Sequence, residues 1–370
     1  MNTRANNINN KQTLTVARCY HGGVYSVNSD LVKVDFSSNV NPLGVSNKVL
    51  YSIQKNAKYL SSIYPDPECQ ELKKNLHKYL NIDIDADWIT VGNGATEIIH
   101  NFARGFVRNK VVIPAPTFCE YELASKRMGA DILYVPLKKD LSIDGKLITE
   151  RANKANVVFL CNPNNPTGLI SSKLITKIIK NIDSSTKILI DESFIELVDQ
   201  GDDHFSLIDR VREFNNLIIL RSLTKSFGLA GLRLGYSISN PKLAENLSVH
   251  KIPWNVNGLA QMAGIVALRD QKHLAKARSI IKKEREFLQT KISKQMESFI
   301  PYKSYVNYFL IYLKNGKSST KIRNDMLTRS GVLVRDCSTF TGMGEKYIRI
   351  SVKTHNENLL LLKALESIDR

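Results

Sequence analysis

Short apolar runs alternate with amphipathic segments between residues 85 and 240. The runs have the length of buried strands, whereas the segments between them, such as 95–106 and 171–182, repeat their apolar residues at helical spacing. This alternation is typical of a mostly parallel sheet covered by helices. The predicted strands are residues 88–91, 111–113, 157–160, 187–190, 217–220 and 234–238.

The pattern changes after residue 260. Long helical stretches run to about residue 296, strand-like runs follow at 307–313, 332–335 and 347–352, and a last helix is predicted at about 356–368. This order predicts a second, smaller α+β unit. The predicted parts are an arm (1–45) that contributes to the small domain and the active site, a large domain (46–258) and a small domain (259–370).

Polar motifs begin where four of the predicted strands end. They are Gly92-Asn-Gly94, the turn from Asn162 to Gly168, Asp191, and the segment from Arg221 to Lys225. In open α/β sheets, ligands bind outside the carboxyl ends of the strands. We therefore expect these motifs to meet in one site.

The chemistry of these motifs is what pyridoxal 5'-phosphate (PLP) requires. The Lys225 amine can bind the cofactor aldehyde, and the Asp191 carboxylate can keep the pyridine nitrogen protonated. Gly94, Ala95 and Thr96 open a predicted helix, so their backbone N–H groups can hold the phosphate. The sequence predicts a PLP enzyme and no metal site.

Composition and charge narrow the class of protein. The chain has 370 residues, of which 43% are hydrophobic, and no apolar run reaches about 18 residues, so we expect no membrane span. Residues 1–16 are polar and lack the apolar segment of a secretory signal, which favours a cytoplasmic protein. The net charge of +17 is spread along the chain, with its clearest cluster on an amphipathic helix at 276–294, and we expect no nucleic-acid partner.

Cysteine spacing argues against a disulfide framework or a zinc site. The number of cysteines is odd, and no two form a Cys-x-x-Cys pair. We therefore expect reduced thiols. The cysteines are Cys19, Cys69, Cys119, Cys161 and Cys337.

Several motifs resemble the class I and II aminotransferase family of fold-type I PLP enzymes. They are His21-Gly-Gly23, the segment 35–44, Tyr64-Pro-Asp66, the segment 92–97 and the segment 253–257. The resemblance covers the chain from about His21. It implies a large domain with a mostly parallel seven-stranded sheet, a smaller α+β domain, and a homodimer with shared active sites.

The resemblance also implies roles for individual residues around the cofactor. Lys225 would attach PLP, Asp191 would pair with the pyridine nitrogen, and Asn165 would donate to the ring oxygen. Phe118 would stack on the ring, and Tyr64 would reach the phosphate of the neighbouring subunit. The remaining phosphate-binding residues would be Gly94, Ala95, Thr96, Ser222 and Arg233.

The substrate site implied by the resemblance contains two arginines. Arg349 matches the carboxylate-binding arginine of the family, and a planar guanidinium fits a carboxylate bidentately. Arg335 matches the arginine that holds the substrate phosphate in both phosphate-using branches of the family. Asn39 and His21 of the arm resemble residues that line this site, with His21 near the phosphate, and Asn165 borders it.

Two branches of the family use phosphorylated substrates, and the motifs favour one of them. Three features are typical of threonine-phosphate decarboxylases of the cobalamin pathway: His21-Gly-Gly23, Phe194 and the Trp254 region. Histidinol-phosphate aminotransferases usually carry a tyrosine at the position that Phe194 occupies in this chain. Histidinol-phosphate aminotransferase is the alternative. A PLP-fold transcription regulator would need a separate DNA-binding domain, and only 20 residues precede His21. The sequence does not distinguish threonine phosphate from serine phosphate.

Overall fold

A large sheet forms the centre of a computed structural model that describes residues 19–199, 204–314 and 316–369. Its strands are β2 (Ile89–Gly92), β3 (Lys110–Ala115), β4 (Asp131–Pro136), β5 (Val157–Cys161), β6 (Lys187–Asp191), β7 (Leu217–Ser222) and β8 (Gly235–Ile238). The strand order is β2-β8-β7-β6-β5-β3-β4. β8 is antiparallel to both neighbours and the other pairs are parallel, which confirms the predicted α/β fold with a mostly parallel seven-stranded sheet.

Helices cover both faces of this sheet because alternate strand residues point to opposite sides. On β5, Val157 and Phe159 pack in one core cluster, whereas Val158 and Leu160 pack in another. The first face is covered by α3 (Ala95–Phe106), α4 (Glu120–Arg127) and α8 (Pro241–Val249). The second core also takes in side chains of α1 (Asn47–Leu60), α2 (Gln70–Leu80), α5 (Gly145–Ala152), α6 (Ser172–Lys180) and α9 (Gly258–Leu268).

The smaller unit is an antiparallel sheet with its own core. Its strands are β9 (Phe299–Pro301), β10 (Tyr308–Leu313), β12 (Arg335–Asp336) and β13 (Tyr347–Ser351), in the order β12-β13-β10-β9. Its core includes apolar residues of α10 (Gln271–Gln295), α11 (Ser319–Ser330) and α12 (His355–Asp369).

The arm joins the two units beside the end of the large sheet. Its strand β1 (Val34–Asp35) pairs in parallel with β11 (Val332–Leu333) of the smaller unit. Asn41 then donates from its backbone N–H to the carbonyl of Lys225 (3.1 Å) and from Nδ2 to the carbonyl of Ser226 (2.7 Å). These contacts fix the arm against α7 (Leu223–Ser226), the short helix that carries Lys225.

Some features differ from the sequence-based expectation. β4 is an additional strand that the sequence-based prediction lacks; it lies at the edge of the sheet and is only partly buried. The run predicted at 332–335 is divided between β11 and β12, which pair with different strands. α9, most of which lies in the predicted small domain, packs against α1 and shares the core of the large sheet. The domain boundaries stay predictions. Among the described residues, none of the helices combines the length and apolar character that a membrane crossing needs.

Candidate active site

A cavity of about 330 Å³ lies where the carboxyl ends of the large sheet meet the arm and the smaller unit. Twelve of the fourteen site residues predicted from the sequence line it. They are His21, Asn39, Ala95, Thr96, Phe118, Asn165, Asp191, Ser222, Lys225, Arg233, Arg335 and Arg349. Gly94 is the residue before Ala95 at the start of α3, and Tyr64 lies elsewhere.

Lys225 lies in this cavity one helical turn beyond the end of β7. Burial, followed by the positive charges of Arg349 and Arg233, lowers the pKa of Lys225 to about 8. Its Nζ is 5.9 Å from the centroid of the Phe194 ring. A buried amine with a lowered pKa is partly neutral near pH 8, the form that attacks an aldehyde.

Asp191 ends β6 and faces the same cavity. Its Oδ2 accepts a hydrogen bond from the phenol of Tyr121 (2.6 Å), and its Oδ1 accepts one from the backbone N–H of Ser193 (2.8 Å). Burial raises the pKa of Asp191, and the two hydrogen bonds oppose that shift. Both donors are uncharged, so a cation such as a protonated pyridine nitrogen would be a suitable partner for the carboxylate.

The start of α3 and Arg233 form a small polar cradle. Gly94 has a φ of +81°, and a Cβ built there would lie 2.6 Å from Nη2 of Arg233, so only glycine admits the guanidinium at this distance. The N-terminus of α3 favours an anion, and Arg233 adds positive charge. Across the cradle, Oγ of Ser222 and Oγ1 of Thr224 are 2.6 Å apart. The donor set is suited to a phosphate group.

Phe118 and Asn165 lie on two sides of the cavity. The ring of Phe118 is 5.8 Å from the ring of His21 and 5.7 Å from that of Tyr121, centroid to centroid. Asn165 accepts a hydrogen bond at Oδ1 from Nη1 of Arg349. Asn165, which follows β5 of the large sheet, therefore contacts Arg349 of the smaller unit across the cavity.

Arg335 and Arg349 are directly opposite each other on β12 and β13, and both are buried. Arg349 donates from Nη2 to the carbonyl of Ser37 (2.6 Å), and burial lowers its pKa to about 10. Arg335 donates from Nη2 to the carbonyl of Tyr20 (2.5 Å) and to Oγ1 of Thr339 (2.8 Å). Two guanidinium groups thus enter the cavity side by side from the smaller unit.

Cys19 and Cys119 form a disulfide, which corrects the expectation that every thiol is reduced. The arm crosses the start of α4 and brings the two Cα atoms within 5.6 Å, although 100 residues separate them in the chain. Cysteine spacing carries no information about such a contact. The sulfur atoms lie near the His21 ring, within 4.8 Å of a potential ligand nitrogen, but they are bonded to each other. The cytoplasmic location stays a prediction.

Tyr64 is the predicted site residue that the structure places outside the cavity. It is 79% exposed, and its ring lies 4.9 Å from that of Trp254. No contact within residues 19–199, 204–314 and 316–369 brings Tyr64 to the cofactor cradle, so its predicted role depends on a second subunit.

Comparison with known proteins decides the family. A family model described as aminotransferase class I and II matches residues 32–365. Histidinol-phosphate aminotransferase of Methanococcus aeolicus is 34% identical over 350 residues, which cover 93% of this chain and 92% of that protein. The chain belongs to the class I and II aminotransferase family.

Solved structures of both branches resemble this aminotransferase-family chain. A histidinol-phosphate aminotransferase from Clostridium acetobutylicum has a TM-score of 0.83 and 31% identity, with 91% of this chain and 99% of that chain covered. The L-threonine-O-3-phosphate decarboxylase from Porphyromonas gingivalis has a TM-score of 0.77 and 26% identity, with 90% of this chain and 98% of that chain covered. The cofactor of the family is PLP, and the cradle, Asp191 and Lys225 fit its phosphate, pyridine nitrogen and aldehyde.

Sequence reasoning missed three side chains of this family site. Tyr121 holds Asp191, yet 70 residues separate the two in the chain, so no local motif could reveal the pair. Thr224 lies between Ser222 and Lys225, and its place in that short segment was an available signal. Glu120 contacts His21, which lines the cavity, although 99 residues separate the two in the chain.

Proposed function

We propose that this chain decarboxylates L-threonine O-3-phosphate to (R)-1-amino-2-propanol O-2-phosphate and CO2, for cobalamin biosynthesis. The observation that carries the proposal is the direct cross-strand pairing of Arg335 with Arg349. Facing residues on adjacent strands lie about 5 Å apart at their Cβ atoms. Two arginines at facing positions would suit a ligand that carries a carboxylate and a phosphate on neighbouring carbons.

The residues of the cavity have separate tasks in this proposal. Arg349 binds the α-carboxylate and Arg335 binds the phosphate, each through charge-assisted hydrogen bonds. Together with Asn39 they orient the bond between Cα and the carboxylate for cleavage, a contribution of positioning. PLP, when bound, supplies the electron sink. Lys225, with its lowered pKa, returns a proton to Cα after CO2 leaves.

Phe194 also favours decarboxylation over amino transfer. It lines the cavity next to Lys225, where the aminotransferase branch usually carries a tyrosine. A phenylalanine has no hydroxyl and cannot donate to the ring oxygen of the cofactor. The absent donor matches the decarboxylase pattern.

Histidinol-phosphate aminotransferase is the second candidate, favoured by the relative from Methanococcus aeolicus at 34% identity. In that reaction the Cα–H bond is cleaved, and Lys225 removes the proton. The substrate would place an imidazole between the amine and the phosphate. The phosphate of that substrate would therefore lie further from the amine than the phosphate of threonine phosphate does.

One experiment separates the two candidates. Purified protein with PLP is mixed with L-threonine O-3-phosphate, L-serine O-phosphate or histidinol phosphate, with and without 2-oxoglutarate. We expect CO2 release from threonine phosphate without any 2-oxo acid and negligible amino transfer from histidinol phosphate. Rapid transamination of histidinol phosphate with no CO2 release would favour the second candidate.

We also propose a homodimer whose active sites are shared. Large apolar side chains are exposed on and near α1 and around Trp254, the region that presents Tyr64. Burying such a patch against a second copy would stabilise a dimer. The exposed residues are Leu50, Tyr51, Tyr59, Ile63, Val249, Ile252 and Trp254.

A further inference from the structure

We infer that Glu120 is a positioning residue, which orients the His21 imidazole toward the substrate phosphate at the Arg335 end of the cavity. The inference rests on the proposed function because it assigns the phosphate to that end. The Glu120 carboxylate does not line the cavity, and none of the roles in cofactor binding given above falls to it.

Glu120 is the first residue of α4 and is 5% exposed. Its two carboxylate oxygens contact two different histidines. Oε1 lies 2.8 Å from Nε2 of His21, and Oε2 lies 2.9 Å from Nε2 of His100 on α3. One buried carboxylate therefore connects the arm, α3 and α4.

The protonation of Glu120 fixes the hydrogen-bond roles. Burial alone would raise the pKa of Glu120, but the hydrogen bonds from His100 and His21 lower it to about 2. An ionised carboxylate only accepts hydrogen bonds, so both imidazoles donate to it from Nε2. In His21, Nδ1 is then the ring nitrogen left for a ligand.

The position of His21 allows its Nδ1 to contact a ligand in the cavity. His21 lines the cavity and its side chain is 52% exposed, so a ligand can reach it. The preceding residue, Tyr20, accepts the hydrogen bond from Arg335 through its carbonyl, which places His21 beside that guanidinium. A protonated imidazole there can donate from Nδ1 to a phosphate oxygen that Arg335 also binds.

A carboxylate so close to a phosphate site would by itself repel the ligand. Glu120 makes binding of the phosphate more favourable only if it acts through the His21 imidazole, which lies between the carboxylate and the phosphate. This makes the effect of Glu120 dependent on His21. A purely structural role, in which Glu120 joins α3 to α4 through His100, would not depend on His21.

A double-mutant cycle tests this dependence. The PLP-loaded protein is titrated by calorimetry with 1-amino-2-propanol O-2-phosphate and with 1-amino-2-propanol, which differ only in the phosphate. We expect Glu120→Gln and His21→Ala each to weaken the phosphate ester about tenfold and the free amino alcohol little. The double variant should be no weaker than His21→Ala alone. Glu122→Gln, a carboxylate two residues further along α4, is the matched control and should bind like the unaltered protein.

Nitrogen NMR of histidine-labelled protein gives an independent readout. His21 should carry a hydrogen on Nε2, joined by a second hydrogen on Nδ1 when the imidazole is protonated, and the Nε2 signal should change in Glu120→Gln but not in Glu122→Gln. A neutral His21 with its hydrogen on Nδ1 would overturn the inference. In the titrations, the inference would also be overturned if Glu120→Gln weakened ester binding by the same factor in the unaltered protein and in the His21→Ala variant. If Glu120→Gln does not fold, the His21 signal of the unaltered protein decides.

The same titration separates failure of the inference from failure of the proposed function. Unaltered protein that binds ester and free amino alcohol equally would contradict the proposed phosphate site, and the inference with it. A strong preference for the ester that Glu120→Gln leaves unchanged would overturn the inference alone.

Discussion

The phenol of Tyr121 donates a hydrogen bond of 2.6 Å to Oδ2 of Asp191 at the end of the central sheet. The bond helps to hold the carboxylate ionised against the effect of burial, which raises the pKa of Asp191. It also fixes the carboxylate toward the cavity. An ionised, oriented carboxylate is what keeps a pyridine nitrogen protonated, so the two residues are expected to act as a unit.

Substitution of these residues should reduce turnover by different amounts. Asp191→Asn removes the charge that would pair with the pyridine nitrogen, and we expect a loss of at least about 100-fold in kcat. Tyr121→Phe removes one hydrogen bond to that charge, and a loss of about tenfold is expected. Tyr79→Phe removes a phenol that donates to Glu196 away from the cavity and serves as the control. Steady-state kinetics would measure the losses, and full activity of Asp191→Asn would contradict the assigned role.

Attachment of the cofactor should depend on pH through Lys225. Burial and the charges of Arg349 and Arg233 lower the pKa of this amine to about 8, and only the neutral amine attacks an aldehyde. The rate of PLP attachment to cofactor-free protein should therefore rise with pH up to about 8 and level off above it. Arg349→Gln removes a like charge, so it should raise the pKa of Lys225 and move the midpoint to higher pH.

Stopped-flow absorbance at a series of pH values would measure that midpoint. Borohydride reduction followed by peptide mapping should find the cofactor on Lys225, and Lys225→Ala should give no reducible attached cofactor. A midpoint near the ordinary lysine value of 10.5, or attachment at another lysine, is incompatible with this assignment.

The disulfide predicts a pattern of stability losses. Closing a loop of about 100 residues is expected to stabilise a protein by roughly 4.7 kcal/mol, mainly through the unfolded chain. Cys19→Ser, Cys119→Ser and the double variant should therefore lose the same stability, because each removes the same bond. Chemical denaturation without reductant would measure this. Additive losses, or five free thiols in the denatured unaltered protein, would show that the bond does not form.

The sequence could predict what is local and periodic. The strand end at Asp191 and the segment after β7 that carries Lys225 follow from apolar runs and from the rule that ligands bind at carboxyl ends of parallel strands. Contacts between remote segments carried no such signal. Tyr121 with Asp191, Glu120 with His21, and Cys19 with Cys119 come together only because the arm and α4 pack beside the sheet.

Arg335 and Arg349 should affect different ligands. Arg335→Ala should weaken phosphorylated ligands far more than L-threonine, because only the phosphorylated ligands lose a charge-assisted pair. Arg349→Ala should weaken both, since both carry the α-carboxylate. Arg329→Ala, which removes an exposed arginine from the last turn of α11, is the matched control. Equal losses for both ligands in Arg335→Ala would place the phosphate elsewhere.

Tyr64 offers a test of shared active sites through mixed dimers. If Tyr64 completes the site of the partner subunit, Tyr64→Ala should lower activity about tenfold through the lost phosphate contact. Lys225→Ala should abolish the activity of its own site. In a hybrid of the two variants, one site carries both substitutions and the other carries neither. Random association makes half of the dimers hybrids, so about a quarter of all sites regain full function.

The matched control combines Lys225→Ala with Asp191→Asn, two substitutions whose side chains line the cavity of one chain. Each site of that hybrid carries one of the substitutions, so mixing should restore nothing. Co-refolding of equal amounts, followed by CO2 release from L-threonine O-3-phosphate, would measure both mixtures. Recovery of activity with Tyr64→Ala but not with Asp191→Asn is expected because Tyr64 is 79% exposed and lies outside its own cavity. Failure of the Tyr64→Ala mixture to exceed the activity of the separate variants would confine each active site to one chain.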